Sequence, residues 1–133
     1  MCKDLINLRS PTATLNTCLY IRHDLPSHSR LRARLRLNRS YLNDSLFRCQ
    51  YPGIHSPHCS LCLVNETPSH LLICPRYHSA RLRLIHSIGH LPSINTILAE
   101  LPTPTSTRQR HRQIRFLHLT GKFLTDVAIL RSF

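Results

Sequence analysis

The residues best suited to chemistry lie between positions 59 and 74: Cys59, Cys62, His70 and Cys74, spaced Cys-x2-Cys-x7-His-x3-Cys. Zn²⁺ takes four soft or borderline donors in a tetrahedron, and thiolates with an imidazole at such spacings supply them. Local signals support the assignment. Thr67 suits a helix N-cap, and Pro68 suits the first helical position, where its missing N–H has no partner to lose. His70 and Cys74 are then expected one helical turn apart on a shared face. Pro75 disfavours helix at Cys74 and turns the chain there. A redox role for Cys59-Ser60-Leu61-Cys62 needs a thioredoxin-like βαβ context, which the sequence does not offer. His58 and His78 flank the cluster and read as surface histidines. Cys49 and His55 could form part of a second site, but a structural role for Cys49 is preferred.

The elements that must carry this cluster are basic. The chain of 133 residues has 18 Lys+Arg against 6 Asp+Glu, a formal charge of +12, and its only lysines are Lys3 and Lys122. A field of that sign attracts polyanions, and guanidinium groups suit phosphate because they bind it bidentately. The candidate nucleic-acid contacts are Arg30, Arg32, Arg34, Arg36 and Arg39 in one run and Arg108, Arg110, Arg112 and Arg115 in another. The competing reading is a solvated helix face. Phosphate contact to RNA or DNA is favoured over base readout, because no recognition helix is evident.

Other classes find little support. The acids Asp4, Asp24, Asp44, Glu66, Glu100 and Asp126 are not paired at any catalytic spacing, so no enzyme is expected. Four protein donors would also close a zinc site to a reacting water. No run approaches the roughly 20 apolar residues of a membrane span, and no signal peptide is evident. Neither a membrane nor a small-molecule substrate is expected. Clustered cysteines without an export signal point to an intracellular protein, with the nucleus a compatible location.

The pattern along the chain predicts a mostly α fold, a small helical domain pinned by a Cys3His zinc knuckle. Residues 1–27 are a poorly specified lead-in. Residues 28–101 form the zinc-binding module, 102–107 a Pro/Thr linker, and 108–133 a C-terminal helix. The alternation Ser29-Arg30-Leu31-Arg32-Ala33-Arg34-Leu35-Arg36-Leu37 would suit a strand, but its strong helix formers and its Leu31/Leu35 spacing favour helix. A second short helix runs through Leu42, Leu46 and Phe47. Pro75 opens a helix that ends near Ile88 before Gly89, and Ser93 caps a short one carrying Ile94, Ile97, Leu98 and Leu101.

Three segments together carry a resemblance. Leu35–Arg48 is similar to the LRxGHxxLNxxLxR stretch of non-LTR retrotransposon polyproteins. Ser56–Cys62 with Glu66–Tyr77 resembles their SPxCxxC…ETxxHLLxxCPxY segment, and Phe116–Phe123 resembles their FLxxTGRF ending. The likeness spans about residues 29–125 in the family's order and implies a zinc-binding region C-terminal to a reverse transcriptase, read here as a truncated copy. The family has four residues between its His and last Cys, where this chain has three. The resemblance implies an accessory module contacting template RNA or target DNA, with upstream reverse transcriptase or RNase H domains as partners. The alternative is a structural zinc module that makes protein or interdomain contacts without touching nucleic acid.

Overall fold

The computed structural model describes residues 23–99 and 101–131. The expected lead-in lies, up to residue 22, outside the described residues. Five α-helices follow in order: α1 (Pro26–Arg36), α2 (Asn43–Arg48), α3 (His78–Ile88), α4 (Ile94–Ile97) and α5 (Thr107–Arg131). Two 3₁₀ turns, Pro68–Leu72 and Pro75–Tyr77, precede α3. Among the described residues there is no strand, only an isolated bridge between His58 and Asn65. The expected mostly helical class is therefore observed.

The Arg/Leu alternation resolves as helix. Leu35 is buried and Leu31 partly buried, as stacking at i,i+4 requires. Pro26 opens α1, and the carbonyls of its last turn bond the N–H groups of Leu37, Asn38 and Arg39. Gly89 ends α3 at φ +97°, a left-handed conformation that glycine adopts without steric cost, and its N–H reaches the Ile85 carbonyl. The Ser93 hydroxyl accepts the Thr96 N–H, so the expected cap is present on a helix only four residues long.

The longest element, α5, has 25 residues and spans about 37 Å at 1.5 Å per residue. Its start is capped reciprocally. Ser106 Oγ accepts the Gln109 N–H, and the Gln109 side chain accepts the Thr105 N–H and hydroxyl. Leu117, Phe123, Leu124 and Val127 bury one face of α5, which lies against α1 and α3. Gln113 donates to the Pro102 carbonyl across the 102–107 segment. The C-terminal helix and the Cys/His segment thus share one core, in which Cys59, Leu71, Cys74 and Tyr77 meet Leu35, Leu42, Leu84 and Phe123.

The α1–α5 seam also contains a polar clamp. Arg32 is fully buried. Its Nη1 pairs with Asp24, its Nε donates to the Ile97 carbonyl, and its Nη2 donates to the Leu117 carbonyl and Thr120 Oγ1. Beside it His28 lies over Gly121 so closely that no β-carbon would fit there.

Candidate metal centre

The predicted donors converge. One ligand atom from each of Cys59, Cys62, His70 and Cys74 lies within 4.8 Å of every other. Cys62 and Cys74 Sγ are 3.6 Å apart, and Cys59 and Cys74 Sγ are 4.0 Å apart. A tetrahedral zinc with 2.3 Å Zn–S bonds separates its sulfurs by about 3.8 Å. The cluster is arranged to hold a metal ion. Both ring nitrogens of His70 are buried with no hydrogen-bond partner among the described residues, a costly state that a bound cation would relieve at the ligating nitrogen.

The route to this geometry differs from the expected one. Pro68–Leu72 is a 3₁₀ turn, not an α-helix, and Thr67 makes no side-chain cap. Cys74 lies beyond the turn in extended backbone and precedes the next one. The two ligands still meet, because the Cys74 N–H bonds the His70 carbonyl at 2.9 Å, a single closed i,i+4 turn. A proline after Cys74 excludes a continuing α-helix, so this single turn replaces the shared helical face.

On the other arm the Cys59 N–H bonds the Val64 carbonyl and the Leu63 N–H bonds the Cys59 carbonyl, which folds residues 59–64 into a tight knuckle. Closing it requires φ +59° at Leu63, a left-handed conformation unfavourable for any side chain with a β-carbon. Backbone amides then face the sulfurs. Burial raises the Cys59 thiol, but the Cys62 and Leu61 amides and the Cys74 thiol outweigh it, and the net shift is downward. Burial pushes Cys74 up to about 11, against the opposing Arg76 amide. Burial lowers His70. Glu66 opposes that shift, and Arg76 and Arg81 reinforce it, so the imidazole favours its neutral, metal-ligating form.

Three side chains brace the loops and were not singled out from the sequence. Arg81 donates to the Leu71 and Cys74 carbonyls at 3.1 and 2.6 Å. Arg76 reaches Ser60 Oγ at 3.0 Å, tying one ligand arm to the other. Glu66 is fully buried beside the cluster, where it accepts the Asn43 N–H and pairs with Arg131 at the end of α5. Asn43 in turn donates to the His58 carbonyl. The available signals were for Glu66 alone: a carboxylate next to ligands in a chain poor in acids, and the Glu of the ETxxHLL motif.

The arginine runs divide by face. Arg30, Arg34 and Arg39 are exposed on or just after α1. Arg32 is a correction: with its guanidinium consumed in the α1–α5 seam, it has no route to phosphate. Arg36 is half-buried and donates to the Leu98 carbonyl, bracing α1 against the end of α4. Arg108, Arg110, Arg112 and Arg115 are all exposed on α5. Of these, Arg110 contacts His23. Arg108, Arg112 and Arg115 follow i, i+4, i+7 spacing, with His111, His118 and Lys122 also exposed along the helix. The described carboxylates are engaged elsewhere: Asp24 with Arg32, Asp44 with Arg48, Glu66 with Arg131 and Asp126 with Arg83. Among the described residues no helix is long and apolar enough to cross a membrane. The chain matches no family model, no curated protein and no solved structure.

Proposed function

We propose that this chain is a non-catalytic zinc module that binds RNA or DNA through phosphate contacts, akin to the region after a non-LTR retrotransposon reverse transcriptase. The observation that carries the reading is the α5 stripe of Arg108, Arg112, Arg115 and Lys122. These exposed cations form no ion pair with a described carboxylate. From residue 108 to 122 the stripe spans about 21 Å, or roughly six phosphates along one duplex strand. Zinc is the favoured ion because thiolate and imidazole donors in a tetrahedron suit it better than hard cations. Four protein donors support a structural role, and metal binding would add directly to the stability of the shared core.

The test is a titration of the zinc-loaded chain with RNA and DNA oligomers at several salt concentrations. Log affinity should fall linearly with log salt, and replacing Arg108, Arg112 and Arg115 by Ser should reduce the slope by about two to three. No affinity for either polymer at low salt would reject the reading.

A second reading, docking onto a protein domain, draws on Leu61, Leu63, Val64 and Ile73. These apolar side chains around the ligand loops are 48–75% exposed. It predicts zinc-dependent folding with no salt-sensitive affinity for nucleic acid.

A further inference from the structure

A cavity of about 540 Å³ opens between the end of α1 and α2, lined in part by Arg34, Leu37, Arg39, Tyr41, Leu46 and Tyr51. We infer that it receives one unpaired base of a single-stranded nucleic acid, with Arg39 on the adjoining phosphate. The inference rests on the nucleic-acid reading above and assigns it a site.

The cavity combines two chemistries that a nucleotide also combines. Its wall is largely apolar and aromatic, with Tyr41 and Tyr51 about half exposed. Its charged residues are both arginines, and no described carboxylate lines it. Arg34 fixes the Tyr41 ring by lying 5.3 Å from its centroid and donating to its hydroxyl at 2.8 Å. Tyr51 stands on a rigid turn, where its N–H bonds the Leu46 carbonyl and Gln50 holds φ +56°. The Arg39 backbone is likewise anchored, its N–H on the Arg34 carbonyl. Its exposed guanidinium forms no ion pair with a described carboxylate.

Arg30 and Arg34 share a face of α1 at i,i+4, so a row of cations leads into the cavity. A double helix cannot present a base edge-free face to so small a concavity. A single strand can, and stacking on tyrosine tolerates every base because each has a π-face.

The test compares the zinc-loaded full chain against a labelled uridine oligomer and an abasic oligomer of equal length, by fluorescence anisotropy at fixed salt. The base-bearing strand should bind about tenfold tighter. Tyr51→Ala and Tyr51→Leu should each abolish that preference while leaving abasic affinity unchanged. The chain has no Trp, so stacking should also quench its tyrosine emission. Equal affinity for the two wild-type complexes would overturn the site, leaving backbone contact intact and the cavity to a protein segment. Loss of affinity for both oligomers alike in the Tyr51 variants would overturn it too. Failure of the wild type to bind either oligomer would overturn this inference together with the function it rests on.

Discussion

Replacing Arg32 by Ala separates the buried arginine from its exposed neighbours. The side chain is fully buried, and its removal takes the Arg32 partner from Asp24 Oδ2, on a side chain 1% exposed, and from the Ile97 carbonyl, while Asp24 Oδ1 keeps His28 Nδ1 and the Leu25 N–H and the Leu117 carbonyl keeps Thr120 Oγ1. Thr120 loses less, because its hydroxyl still donates to the Phe116 carbonyl. Removing one partner of a buried ion pair costs about 3–5 kcal/mol, a large share of the 5–15 kcal/mol that typically separates folded from unfolded. For a domain of this size that corresponds to a fall in Tm of about 10–20 °C. Arg30→Ala and Arg39→Ala, on exposed side chains, should each shift Tm by less than about 3 °C. Far-UV circular dichroism of the zinc-loaded proteins measures all three. If Arg32→Ala melts with the other two, the clamp does not hold α1 to α5. If it also lowers the salt slope for nucleic acid, Arg32 faces a ligand after all.

Gly121→Ala should destabilise, despite the roughly 1 kcal/mol that Ala gains over Gly in a helix. The new β-carbon would stand 2.3 Å from His28 Nδ1 and 2.6 Å from its Cγ, so a buried ring must move. A Tm at or above wild type would refute that contact. Leu63→Gly should instead stabilise by about 1 kcal/mol, since it relieves φ +59° at a side chain that is 75% exposed. Urea denaturation of the zinc-loaded chain decides it, and a loss of stability would mean that Leu63 makes contacts worth more than the strain. Cys74→Ser should abolish the one zinc per chain expected by mass spectrometry, and an undiminished metal content would contradict the assigned donors. In the wild type, Cys74 must shed a proton held up to about 11 before it can bind metal as a thiolate. Acid opposes that step, so zinc affinity should fall at least tenfold per unit as pH drops below 7. A chelator-competition profile that stays flat from pH 7 to 5.5 would count against thiolate ligation.

The donor set was legible in the sequence because metal ligation depends on residue type and short spacing, both of which survive without knowledge of the fold. Capping and turn chemistry were legible for the same reason, as at Gly89 and Ser93. Local signals also misled: Pro68 marks a helical start equally well for an α-helix or a 3₁₀ turn, and only the closed His70–Cys74 turn distinguishes them. Arg32 marks the deeper limit. Its sequence neighbours give it the same basic, alternating context as Arg30 and Arg34, and a cation is exposed by default. What buries it is a set of acceptors 65 to 88 residues away on α4 and α5, together with Asp24. Glu66 follows the same logic through Asn43 and Arg131. Sequence alone determined which atoms can bind a metal and how much positive charge the chain carries. Tertiary structure decided which charges remain available to a partner, because burial and pairing depend on contacts between segments far apart in the chain.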